Sequence, residues 1–141
     1  MPKPLRRVAA TIHTTDQARV WGKQLLFTCT GRKLEPGPVL REKYSREDSD
    51  PVSIRLRLLV IPDISLAGVS GEVMTMIGEH LKRQSPLGHT VIVTHANGSS
   101  GYIPDDAGFE QVSYEITTSR LRPGCAENAI VNSFLKLIEQ R

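Results

Sequence analysis

With 141 residues, the chain is sized for one domain around one core. Hydrophobic residues at 39% and charged residues at 23% exclude a disordered composition and fit a globular fold. The net charge of +3 is uneven: residues 1–50 hold ten Lys/Arg against six Asp/Glu, residues 51–141 eight against nine.

That asymmetry creates a basic N-terminal arm containing Arg6, Arg7, Arg32, Lys33, Arg41 and Lys43. Acidic residues are interspersed and few aromatics accompany the charges, so a solvated face is favoured over a nucleic-acid surface. No apolar run approaches the ~20 residues of a membrane span, and the N-terminus lacks the apolar core of a secretory signal. A cytoplasmic location is the expectation. Cys29 and Cys125 match neither a disulfide framework nor a zinc knuckle and lie on or beside apolar faces read as helical. They are expected to be buried free thiols.

In chain order, Val8–Ile12 reads as a short strand. Thr14, Thr15 and Asp16 are good N-cap types and Gly31 a good stop. Between them Ala18, Trp21, Leu25 and Cys29 recur at helical spacing, so residues 15–30 are predicted as an amphipathic helix. Residues 1–14 and 31–52 read as loop-rich, the second stretch with one edge strand near Val39–Lys43. From Ser53 the pattern turns to period two: Ile54, Leu56, Leu58 and Val60 alternate with Arg55 and Arg57, a strand with one wet face. Pro62-Asp63 makes a turn before a second strand, Ser65–Val69. A helix over 72–85 follows, ended by Pro86, and then a β-branched strand, Thr90–Thr94. Residues 106–111 predict a short helical turn, Tyr114–Thr118 another strand, and Pro123-Gly124 introduces a last helix to Glu139. Strand, helix and strand over 65–94 form a βαβ unit and hence a parallel pair. The expected fold over 1–141 is a single α/β domain, a mixed sheet flanked by about three helices.

Ligands of open α/β sheets collect beyond the carboxyl ends of the strands. The loops trailing the two parallel strands carry Ser70-Gly71-Glu72 and Ala96-Asn97-Gly98-Ser99-Ser100-Gly101-Tyr102, so topology places Glu72 and Tyr102 on one edge. In a first helical turn Glu72 would be held ionised, as a metal ligand must be. Gly71 suggests a tight backbone there. On spacing alone the plainer readings are preferred: Glu72 as a dipole-complementing helix start, Tyr102 as an edge cover, and Tyr114 as a strand residue. His13, His80, His89 and His95 lack metal-ligand spacing among themselves; His95, at a strand end, is the least dismissible. No phosphate loop, His-Glu-x-x-His signature or Gly-x-Ser-x-Gly elbow occurs.

Three spaced patterns, Gly-Glu-x-x-Thr-x-x-Gly at 71–78, Ala-Asn-Gly-x-x-Gly-Tyr-Ile-Pro at 96–104 and Tyr-Glu at 114–115, resemble the C-terminal part of the catalytic domain of neutral/alkaline ceramidases. The resemblance spans roughly residues 53–140, with 15–30 as the family's preceding helix. It implies a zinc-dependent amidase acting on an N-acyl amide such as ceramide. It also implies Glu72 and Tyr102 as zinc ligands and Tyr114 as hydrogen-bond donor to the carbonyl or developing oxyanion. The family's two histidine ligands and serine have no counterpart in residues 1–52, and Ser99-Ser100 stands where the family carries an aromatic residue. The functional expectation is a partial domain, inactive alone: a C-terminal fragment, a split half completed by a second polypeptide, or a decayed relative kept for another role. The alternative is a non-enzymatic binding or assembly module that forms a homo-oligomer through its exposed apolar face.

Overall fold

The computed structural model describes residues 4–13, 19–34, 47–111 and 113–140, with side chains from Val20 onward. Seven strands and three α-helices follow in the order β1 (Pro4–His13), β2 (Arg19–Arg32), β3 (Asp48–Ile61), β4 (Ile64–Val69), β5 (Glu72–Val73), α1 (Thr75–Gln84), β6 (His89–Val93), β7 (Tyr102–Ile103), α2 (Tyr114–Thr118) and α3 (Ala126–Glu139). A 3₁₀ turn at Ala107–Glu110 precedes α2.

Five strands form one sheet in the order β1-β2-β3-β4-β6, antiparallel throughout except for the parallel β4–β6 pair. Helix α1 is the crossover between those two strands, so the βαβ unit and the mixed α/β class read from the sequence are present. The register of β3 follows its alternation. Val52, Ile54, Leu56, Leu58 and Val60 point inward, while Arg55, Arg57, Leu59 and Ile61 point out. On the inner face Phe27 lies opposite Ile54 and Leu25 opposite Leu56, with Val69 beyond Leu56. Ile77 and Leu81 of α1, and Ile130, Phe134, Leu137 and Ile138 of α3, close this core. Full burial of such side chains stabilises by roughly 1.5–3 kcal/mol each.

The amphipathic helix expected over 15–30 is instead strand β2. A spacing of four residues satisfies both periods, because Trp21, Leu25 and Cys29 also share one face of a strand. Phe27 decides between them: it is buried beside Leu25 and Cys29 at period two, and a helix would have turned it away. Antiparallel partners on both sides, β1 and β3, then satisfy the backbone of β2. Thr14, Thr15 and Asp16, read as caps, lie outside the described residues, as does the edge strand expected near Val39–Lys43. The stretches read as loop-rich give up Pro4–His13 to β1 and Asp48–Pro51 to the start of β3.

Two further elements differ. The helix expected from residue 72 begins at Thr75, because the Glu72 and Met74 N–H groups donate to the Gly101 and Ile103 carbonyls (2.8 and 3.0 Å) and so build β5 against β7. Tyr114–Thr118 is helix α2 rather than a strand. Ser113 caps it by accepting from the Ile116 N–H at 3.3 Å, and the Thr117 and Thr118 hydroxyls donate to the Ser113 and Tyr114 carbonyls at 3.0 and 2.7 Å. Capping and local hydroxyl bonds override the β-propensity of the Tyr-Ile-Thr-Thr composition.

Nor are the cysteines free. Cys29 and Cys125 form a disulfide across 96 residues, joining β2 to the first turn of α3 with Cα atoms 5.9 Å apart. With β2 a strand, Cys29 points into the core beneath the start of α3. Further along β2, buried Arg32 donates from Nε to the Leu121 carbonyl (3.0 Å) and from Nη2 to the Ile116 carbonyl, tying α2 to the sheet. No helix among the described residues is long and apolar enough to cross a membrane.

Candidate functional site

The edge predicted from topology exists, but its construction differs from a helix start. Beyond the end of β4 the chain passes through Ser70-Gly71 into β5, and beyond β6 it turns through residues 94–101 into β7. The two short strands pair in parallel with Glu72 opposite Tyr102 and Val73 opposite Ile103. Gly71 is required by this approach: a Cβ at that position would sit 2.6 Å from the Gly101 carbonyl oxygen and 2.6 Å from Ile103 Cδ1. Gly101 enters β7 at φ +80°, a conformation that glycine adopts without steric cost.

Tyr114, expected on a strand, is delivered by the first turn of α2. Its ring meets the Tyr102 ring edge-on, centroids 5.8 Å apart at 85°. The Tyr102 carbonyl accepts from buried Ser119 Oγ at 2.8 Å, which fixes β7 against the end of α2. The three residues singled out from the sequence, Glu72, Tyr102 and Tyr114, thus come together from three different elements. Their chemistry is coupled. The Tyr102 phenol is raised above the ordinary tyrosine range, first by desolvation, then by the negative charge of Glu72, the Tyr114 phenol and Glu115. Tyr102 is therefore a neutral hydrogen-bond donor at neutral pH.

Glu72 is not in a helical turn but in β5, three residues before α1 begins. Its observed partner is His95, whose Nε2 lies 3.4 Å from Glu72 Oε2. His95 sits just after β6 at φ +53°, left-handed backbone that is sparsely populated by a residue with a Cβ. The His95 N–H donates to the Gly71 carbonyl at 3.0 Å, so one residue contacts both the backbone and the carboxylate of the Gly71-Glu72 segment. The other histidines lie elsewhere: His80 on α1 contacts Glu127 of α3 at 3.2 Å, and His89 opens β6.

As a metal site the corner is partial. Among the described residues there is no group of three or more His, Cys, Asp or Glu side chains that could hold an ion. Glu72 and Tyr102 supply two donors where catalytic zinc takes three protein ligands. The donors placed at this corner among the described residues do not by themselves complete a catalytic zinc site.

Comparison with known proteins gave no match to any protein-family model, curated protein or solved structure.

Proposed function

We propose that this chain carries part of the active site of a ceramidase-like amide hydrolase, with Glu72 and Tyr102 as two of the ligands of a zinc ion and Tyr114 facing the substrate carbonyl. The observation that supports this reading is the parallel register of Glu72 with Tyr102, with the Tyr114 ring against Tyr102. A carboxylate and two phenols on one sheet edge are the residue types such a centre uses, in the chain order the motif resemblance requires. The remaining ligands and the nucleophile would lie outside residues 1–141, and no reaction step is assigned to this chain alone. The substrate class is an N-acyl amide of the ceramide kind.

The test is metal content. The chain mixed with a polypeptide bearing the histidine and serine motifs should retain about one zinc per complex and cleave a fluorescent N-acyl sphingoid amide, and the chain alone should do neither. Equal zinc in the mixture made with Glu72→Gln would remove the ligand role.

A second reading, an assembly module, is favoured by a different observation. Both α1 and α3 pack on the inner face of the sheet, and the outer face presents exposed Leu59, Ile61, Ile64, Val91 and Val93. These fall in adjacent rows, since Leu59 pairs with Leu66 and Leu66 with Val91. An apolar sheet face of this kind supports an interface reading, with either the missing half or another copy. Light scattering separates the two: a stable monomer that binds the second polypeptide leaves only the first. The disulfide weighs against a cytoplasmic setting, because such bonds persist in oxidising compartments.

A further inference from the structure

A cavity of about 290 Å³ opens where the outer face of β3 meets the 97–100 loop and Arg120, two residues beyond α2. Its walls include Ser53, Arg55, Asn97, Ser99, Ser100 and Arg120, and among the described residues no Asp or Glu lines it. Two arginines therefore line one concavity, and among the described residues no carboxylate lines it beside them. Among the described residues neither Arg55 nor Arg120 makes an ion pair.

The floor is fixed by hydrogen bonds. Ser70 Oγ accepts from the Arg55 N–H at 2.9 Å and lies 2.6 Å from Ser100 Oγ, which donates to the Ser53 carbonyl at 2.8 Å. Both serines are buried. Arg55 Nη1 reaches the Asn97 carbonyl at 3.3 Å, which holds the guanidinium toward the loop and leaves its other N–H groups to donate. On the opposite side the Arg120 carbonyl accepts from the Arg32 N–H at 2.8 Å, so the backbone that carries the second guanidinium is anchored to β2. The Gly98 and Ser99 amides donate to no backbone group among the described residues. Unspent amide and guanidinium donors around one cavity form a receptor for oxygen anions.

We propose that this cavity binds a small organic oxyanion, one phosphate or carboxylate group on a compact polar body, clamped between Arg55 and Arg120. The volume exceeds that of an inorganic ion and lies at the small end of ligand pockets, which sets the size of the body. Leu26 and Pro51 are among its apolar lining residues. The site uses neither Glu72, Tyr102 nor Tyr114, so it stands or falls apart from the amidase reading.

The experiment is a titration of the whole chain at low ionic strength by calorimetry and by arginine Nε–H NMR, with glycerol 3-phosphate in one arm and lactate in the other. Saturable binding in either arm is expected, and the arm that saturates identifies the anion. Arg55→Gln or Arg120→Gln should weaken it roughly tenfold or more. Arg57→Gln, on the same sheet face but outside the cavity, should leave it unchanged. Both arginines are exposed at their tips, and melting temperature checks that each variant is folded. Failure of both probes to saturate, retention of wild-type affinity in both cavity variants, or equal loss in Arg57→Gln would overturn the proposal.

Discussion

His95 and Glu72 are 23 residues apart in sequence, yet imidazole Nε2 and carboxylate Oε2 lie 3.4 Å apart at the sheet edge. The contact depends on the left-handed backbone of His95 at φ +53°, which turns the chain back over Gly71 directly after β6. A residue with a Cβ in that conformation costs about 1 kcal/mol or more relative to glycine. His95→Gly should therefore raise thermal stability slightly or leave it unchanged while freeing Glu72. His95→Ala should lower stability and free Glu72 equally. Unchanged Glu72 carboxyl ¹³C chemical shifts in both variants at neutral pH would mean that the imidazole does not contact the carboxylate.

Tyr102 carries a second prediction. Its phenol is raised by desolvation first and by Glu72 next. Glu72→Gln should lower the Tyr102 pKa toward the ordinary tyrosine value of about 10, without reaching it, because the desolvation stays. The sign for stability follows. A phenol whose pKa is raised on folding contributes stability below the unfolded value, and that contribution is lost as pH rises through the folded value. Wild-type protein should thus lose stability above about pH 10 more steeply than Glu72→Gln. Absorbance at the tyrosinate band and alkaline melts check both statements.

Gly71 sets the spacing of the corner. An added Cβ meets the Gly101 carbonyl oxygen at 2.6 Å, and because backbone cannot rotate away, β5 and β7 must separate. Gly71→Ala should cost roughly 1–3 kcal/mol and disturb the Tyr102 and Tyr114 ring resonances together. Unchanged stability with unchanged ring shifts would show that the two strands are not packed this closely.

Arg32 shows how much of the frame rests on a single buried cation. It is 3% exposed and donates to the Ile116 and Leu121 carbonyls, which position α2 and with it Tyr114. Arg32→Met leaves both acceptors buried with that donor gone, and each costs on the order of 1–3 kcal/mol. The expected outcome is a large fall in the denaturation midpoint, and in any folded fraction a loss of the Tyr102–Tyr114 ring contact.

The parts of this molecule that the sequence made legible are those in which one period dominates. Ile54, Leu56, Leu58 and Val60 alternate with Arg55 and Arg57, and no helix reading of that run survives. The βαβ unit followed from the run of strand, helix and strand over 65–94, and it placed Glu72 and Tyr102 on one edge before any coordinates. Residues 19–32 were illegible for the opposite reason: Trp21, Leu25 and Cys29 fit both periods, and β1 and β3 as partners decide the outcome. The cysteine pairing depended on that same element, since a helical Cys29 would not face Cys125. Glu72 was placed correctly but given the wrong setting. Its N–H pairs with a strand that forms 29 residues later, and local capping signals do not report such a partner. The cavity at Arg55 and Arg120 was invisible for similar reasons, its two cations being 65 residues apart and joined by no motif.

The disulfide gives the last prediction. Cys29 is buried on the inner face of β2 and Cys125 stands at the N-cap position of α3, so the bond ties the helix layer to the sheet. Closing a loop of 96 residues removes chain entropy from the unfolded state worth about 4–5 kcal/mol in the loop-closure picture, and measured losses are typically 2–4 kcal/mol. Reduction, or the double change Cys29→Ala with Cys125→Ala, should lower the unfolding free energy by about that amount. The buried alanine adds a cavity term of its own, so the reduced wild type is the cleaner comparison. Because the bond holds the start of α3 and leaves β5 and β7 untouched, the Tyr102–Tyr114 contact should persist in the reduced protein under native conditions. Chemical denaturation with and without reductant, followed by tyrosine resonances, separates the two effects. Equal midpoints would mean that the sheet and helices are docked as firmly without the covalent tie.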